Sequence, residues 1–173
     1  MAIILAACDE RINLLGVSTS PGNSTLDNTT RNALDVLDII GRADVPVIMG
    51  SPKPFSTTIV YGGHMHGDNG LGGLEIPHTT KKSISEDRFS VIYKLIMQSP
   101  SKVAFVNTGS LTNLAILLAS HPDLKDKLSE ISIMGGAIGE GNITPAAEFN
   151  IFFDAVAAQE CLSYGIPFTM VPL

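Results

Sequence analysis

The sequence predicts an α/β fold with a mostly parallel sheet flanked by helices. Two observations carry this. Strand-like and helix-like segments alternate along the chain, and its strands, such as Val103-Ala104-Phe105-Val106, are apolar at successive positions. Strands buried on both faces read as continuous apolar runs, and β-α alternation is the pattern of parallel crossover units. A third observation concerns polar groups: Pro21-Gly22-Asn23, Asn107-Thr108-Gly109-Ser110 and the long stretch from Met134 to Asn150 each follow a predicted strand. Open α/β sheets bind ligands outside the carboxyl ends of their strands.

The elements run in order. Met1 to Cys8 reads as an apolar helix remnant, and Ile12 to Thr19 as a strand. Leu26, Ala33, Leu34, Leu37 and Ile40 keep helical spacing, with Ser24 or Thr25 as the cap and Gly41 as the stop. Val45 to Met49 is a short strand. Residues 50 to 84 are rich in Gly, Pro, Ser and Thr and form a long excursion. Phe89, Ile92, Leu95 and Ile96 mark a helix that Ser99-Pro100 ends, because a residue before proline avoids the helical region. Val103 to Val106 is expected to be a buried strand, and Leu111, Leu114, Ala115, Leu118 and Ala119 form a helix face. A short helix from Pro122 to Leu128 leads to the strand Ile131-Ser132-Ile133. Asp154 caps a helix through Tyr164 with Gly165 as its stop, and Phe168 to Val171 is the last strand.

Bulk properties bound the function. The 173 residues correspond to a single domain, residues 1–173, long enough for a substantial core. With 45% hydrophobic and 16% charged residues, the chain is globular and not disordered. Its net charge is −6 and its longest basic cluster is the pair Lys81-Lys82. A nucleic-acid polymer or an anionic membrane is therefore not the expected partner. Leu5-Ala6-Ala7-Cys8 has the shape of a lipoprotein cleavage box, yet no basic residue precedes it and the apolar run is short, so the helix reading is preferred. No segment reaches the roughly 18 apolar residues that span a bilayer. Cys8 and Cys161 show no metal-binding spacing and are expected to be buried small hydrophobes in a reduced, cytoplasmic setting.

The stretch from Met134 to Asn150 is the strongest candidate site. A loop this long without periodicity is uncommon within a domain unless it is functional. Its glycines allow close approach of a ligand to the backbone. Asn142, Glu148 and Asn150 supply the donors and acceptors that a polyhydroxylated ligand needs.

Five collinear blocks then give the chain a family resemblance. They are Leu15-Gly16-Val17-Ser18-Thr19 through Gly22-Asn23; Asn28-Thr29-Thr30-Arg31-Asn32-Ala33-Leu34; and His66-Gly67-Asp68-Asn69-Gly70-Leu71-Gly72-Gly73. The fourth is Asn107-Thr108-Gly109-Ser110-Leu111-Thr112-Asn113-Leu114-Ala115. The fifth runs from Ile133-Met134-Gly135-Gly136 through Ala147-Glu148-Phe149-Asn150 to Val171-Pro172-Leu173. Together they resemble the inosine-uridine preferring nucleoside hydrolase family over essentially the whole chain. The resemblance implies a Rossmann-like core and hydrolysis of the N-ribosyl bond of purine or pyrimidine nucleosides to ribose and free base, in nucleoside salvage and catabolism. It also implies a Ca²⁺ ion that binds ribose hydroxyls and a water, with a carboxylate as general base, and a homodimer or homotetramer. A hard cation with oxygen ligands can keep and acidify such a water.

Carried over by position, the resemblance places Asn142, Glu148 and Asn150 at the ribose and Asn23 close to it. Met134 and Phe149 line the sugar site, His66 lies on the base side, and the Thr108 backbone carbonyl is a calcium ligand. His64 and His78 match no family role and are expected to be surface loop histidines. The chain departs from the family at both ends. The aspartate cluster D-x-D-x-x-x-D-D precedes a helix resembling Met1 to Ala6, and a further calcium-binding aspartate follows the Met-Val-Pro-Leu strand. Neither is in these 173 residues, so no catalytic residue is expected here. The expectation is that the chain alone is an incomplete domain, inactive and not a tight binder of calcium. The alternatives are a fragment of an enzyme, a non-catalytic nucleoside- or riboside-binding paralogue, and a structural subunit.

Overall fold

The computed structural model describes residues 1–56 and 66–173, and its described strands form two parallel sheets. Two compact units emerge. The first holds Met1–Pro52 and the described part of Tyr61–Ile92, and the second holds the described part of Lys53–Val60 with Tyr93–Leu173.

The first unit contains α1 (Ala2–Cys8), β1 (Val17–Thr19), α2 (Leu26–Ile39) and β2 (Val47–Met49). Thr25 caps α2, its hydroxyl accepting from the Asn28 N–H at 3.2 Å. Gly41 ends the helix in the left-handed region at φ 72°, which costs a glycine little. The apolar face of α2 buries Ala33 and Leu37 with Ala7, Val45 and Val47. β1 and β2 pair in parallel, Val17 with Val47. Residues 66–84, here termed the strap, end by adding one rung to β2. The Ile84 N–H donates to the Val47 carbonyl and the Ile84 carbonyl accepts from the Met49 N–H, both at 2.9 Å.

The division between units falls inside α3 (Arg88–Gln98). The second unit then has β3 (Val103–Asn107), α4 (Thr112–Ser120), a 3-10 helix (Pro122–Asp126), β4 (Leu128–Met134), α5 (Phe149–Phe153), α6 (Ala155–Ser163) and β5 (Phe168–Val171). The sheet order is β3-β4-β5, all parallel. Its core comprises Leu114, Leu117, Leu118, Leu124, Ile131, Phe153, Ala157 and Cys161. Asp154 is fully buried at the N-terminus of α6. One of its oxygens accepts from the Ala157 N–H at 3.2 Å. The other accepts from the Thr112 hydroxyl at 2.6 Å and the Phe55 N–H at 2.8 Å. The cap read from the sequence therefore also ties three segments of this unit together.

Several expectations need correction. Cys8 is exposed at the last position of α1, and its neighbour Ala7 is the buried residue of that helix. The strand expected from Ile12 begins only at Val17, where the Val17 N–H meets the Pro46 carbonyl at 3.0 Å. Among the described residues β3 ends its sheet, and its burial alternates along the strand, leaving Val106 68% exposed, so the strand is not buried on both faces. The expected helix at Pro122 is a tighter 3-10 turn, and Leu128 already belongs to β4. α5 was not foreseen, since five residues are too few to show a period.

Candidate functional site

Within the second unit, the loop between β4 and α5 gathers six of the predicted residues. Asn150 lies in the first turn of α5, and its amide nitrogen donates to the Met134 carbonyl at 2.9 Å and the Thr108 carbonyl at 3.4 Å. The same nitrogen lies 3.2 Å from the Met134 sulfur. One side chain thus bridges the residues that follow β3 and end β4, at the carboxyl edge of the sheet.

Glu148 precedes α5 and is only 2% exposed. Its Oε1 accepts from the Asn150 N–H at 2.9 Å, and its Oε2 accepts from the N–H groups of Gly136 and Ile151, both at 3.1 Å. The carboxylate therefore caps α5 and ties the start of the loop to its end. A negative group at a helix N-terminus is favoured both by the orphan donors and by the helix dipole.

Asn142 works in the same way on a smaller scale. Its side-chain oxygen accepts from the Phe149 N–H at 2.8 Å. Its backbone N–H donates to the Ala147 carbonyl at 3.1 Å. The Phe149 ring is 8% exposed and packs against Phe153 with centroids 5.9 Å apart. The Asn142 amide NH₂ and the Asn150 side-chain oxygen make no hydrogen bond among the described residues, so both can serve a ligand.

Two glycines, not singled out individually from the sequence, shape this loop. Gly136 has φ 79°, and a Cβ there would lie 2.6 Å from the Met170 sulfur. At Gly141 a Cβ would lie 2.1 Å from the Ala147 carbonyl oxygen. The only advance signal was the density of glycine itself.

Asn23 and His66 belong to the first unit. Asn23 is exposed in the turn after β1. His66 is exposed at the start of the strap, and its carbonyl accepts from the Gly72 N–H at 2.6 Å. His64 lies outside the described residues. His78 is at the surface, as expected, and is also bonded through Nδ1 to the buried Asp35 at 2.7 Å.

Calcium takes six to eight oxygen ligands. Around Thr108 the oxygens on offer are neutral: its own carbonyl and that of Met134, which both already receive Asn150, and the Asn150 side-chain oxygen. No three His, Cys, Asp or Glu side chains gather anywhere among the described residues. Those residues by themselves do not fit a calcium cage.

A parallel α/β sheet with polar side chains collected at its carboxyl edge is a ligand-binding arrangement. The inosine-uridine preferring nucleoside hydrolase profile matches residues 1–173, and the chain belongs to that family. Over its whole length it is 43% identical to the pyrimidine-specific ribonucleoside hydrolase RihA of Shewanella woodyi, covering 55% of that protein. It is 40% identical to the protein of the same name from Citrobacter koseri, again covering 55%. The purine-preferring ribonucleoside hydrolase from Gardnerella vaginalis aligns with a TM-score of 0.93 at 32% identity, over 99% of this chain and 56% of that one. The chain thus spans about half the length of the curated relatives it matches.

Proposed function

We propose that this chain forms the ribose-facing part of a cytoplasmic hydrolase that cleaves the N-ribosyl bond of nucleosides, within one domain that comprises both units. The observation that carries the reading is the Glu148–Asn150 cluster at the carboxyl edge of β3 and β4, in a chain that matches the family from end to end. The named relatives differ in the base they prefer, pyrimidine in one case and purine in the other. What they share is the ribosyl bond, so the assignment rests on the sugar.

Asn150 and Asn142 present an amide oxygen and an amide NH₂ to the ribose hydroxyls, which both donate and accept. Glu148, buried under three N–H bonds, acts by fixing where those amides stand. Met134 and Phe149 form the apolar floor beside them. By position in the family, Asn23 is the counterpart of a residue near the ribose and His66 of a residue on the base side. Hydrogen bonds to sugar hydroxyls can strengthen as positive charge develops on the ring, which is how such a wall assists glycosidic cleavage. In the family resemblance, calcium would supply an acidified water, with the Thr108 carbonyl as one of its ligands.

Calorimetric titration of the 173-residue chain with a nucleoside and with ribose tests the reading. Saturable heat with both is expected, weakened about tenfold in Asn150→Ala, consistent with the loss of one or two hydrogen bonds. Absence of heat with either ligand, or an unchanged affinity in Asn150→Ala, would refute the assignment.

A further inference from the structure

Residues 66–74, the head of the strap, form a turn closed on itself. The His66 carbonyl accepts from the Gly72 N–H at 2.6 Å, and the Gly67 carbonyl accepts from the Gly70 N–H at 3.1 Å. The Asn69 side-chain oxygen accepts from the N–H groups of Leu71 and Gly73, and its NH₂ donates to the Leu74 carbonyl. A turn bonded in this way moves as one piece, with His66 at its start.

Two asparagines of α2 hold that piece. Asn28 and Asn32 are spaced i, i+4, on one side of the helix. The Asn28 amide nitrogen has two hydrogens to give. It donates to the Asp68 carbonyl at 2.8 Å and to the Ser24 hydroxyl at 3.0 Å. The Asn32 amide donates to the Asn69 carbonyl at 2.9 Å. Gly70 completes the joint: at φ 73° it comes so near that a Cβ would lie 3.1 Å from the Ser24 side chain. Asn28 thus joins two segments remote in sequence. One is the turn after β1, where Ser24 follows Asn23. That turn is also held without Asn28, since the Gly22 N–H donates to the Ser24 carbonyl at 3.0 Å and the Thr29 hydroxyl to the Ser20 carbonyl at 3.1 Å. The other is the strap, gripped by its backbone at Asp68, at most about 7 Å of extended chain from His66. Asparagine is a weaker helix former than alanine, so α2 itself gains nothing from this residue.

We propose that Asn28 is a positioning residue: it clamps the turn that begins at His66 to the turn that carries Asn23, and so sets where a base-side group stands relative to a ribose-side one. The consequence for ligands rests on the reading of His66 and Asn23 given above. Asn28 touches no ligand. It acts through His66, so its loss is felt by a ligand that carries a base and not by the sugar alone.

Calorimetric titration of the 173-residue chain with uridine, inosine and ribose tests the clamp. The wild type should bind the better nucleoside more tightly than ribose, and His66→Ala should narrow that margin. Asn28→Ala leaves α2 formed, because alanine is the strongest helix former. It should weaken the nucleoside about fivefold, the change expected for one lost hydrogen bond, and leave ribose affinity as it was. Gly70→Ala forces the same joint apart from the strap side and should reproduce the selective loss. In the double variant His66→Ala/Asn28→Ala, the nucleoside should bind no worse than in His66→Ala alone. An unchanged nucleoside affinity in Asn28→Ala, an equal loss for ribose, or losses that add in the double variant would overturn the clamp while leaving the reading of His66 intact. If the nucleosides bind no more tightly than ribose, or His66→Ala costs nothing, the base-side reading fails and the proposal falls with it, while the ribose assignment stands. A wild type that binds none of the three ligands refutes the proposed function itself, and the clamp with it.

Discussion

Two long irregular segments are held in place by opposite means. The loop from Met134 to Asn150 is pinned largely from within, since Glu148 bonds Gly136, Asn150 and Ile151, and Asn142 bonds Phe149. The strap is pinned in part from a distant helix, through bonds that join residues about 37 to 44 positions apart. A self-pinned loop presents its remaining polar atoms at fixed positions whatever its neighbours do. An externally pinned strap is only as ordered as the face that holds it.

Substitutions can break or sharpen this contrast. The largest effect is expected at Glu148→Ala, which leaves three backbone N–H groups without their acceptor. Each unsatisfied buried donor costs about 1–3 kcal/mol, and a combined loss of about 3 kcal/mol should appear in urea unfolding. A loss below about 1 kcal/mol would mean that the loop is not self-pinned. Next comes Gly141→Ala. The added methyl would stand 2.1 Å from a backbone oxygen, so the turn must open at about 2 kcal/mol, with shifted amide resonances between 136 and 150. Asn32→Ala removes one strap bond at 2.9 Å and should cost about 1 kcal/mol, with exchange loosened at residues 68–74 but not in the 134–150 loop. Loosening of both segments together would dissolve the distinction.

The smallest effect concerns the cysteines. Burial pushes the Cys161 thiol from its ordinary 9.0 up to about 12. Its folded-state pKa is raised, so its contribution to stability is complete below about pH 9 and is lost as pH climbs toward 12. A thiol reagent near pH 8 should label the exposed Cys8 quickly and Cys161 only after denaturant is added. Equal labelling of both in the native protein would show that the second unit opens readily.

How much was legible depended on the range of each interaction. The Asp154 cap, the Thr25 cap and the stops at Gly41 and Gly165 were readable because a helix end is decided within a few residues. The bonding of the 134–150 loop was half legible. Asn142, Glu148 and Asn150 stood out as polar groups, but their division into bonds that shape the loop and atoms left for a ligand is a matter of geometry. Asp35 was invisible as a site, being one acidic residue on a helix with several others. His78 read as surface because nothing in the sequence points from it to a helix more than forty positions away.

By itself, the sequence determined the parallel α/β class, the order of elements apart from α5, and the family, because periodicity, caps and collinear blocks are properties of short stretches. Tertiary structure alone decided which polar side chains are spent on the protein's own backbone. It made Glu148 a buried clasp and Asn150 a bridge between two strand ends, and it drew Asp35 and His78 into one pair. Those outcomes rest on burial and on distances between residues remote in the chain, which no local pattern records.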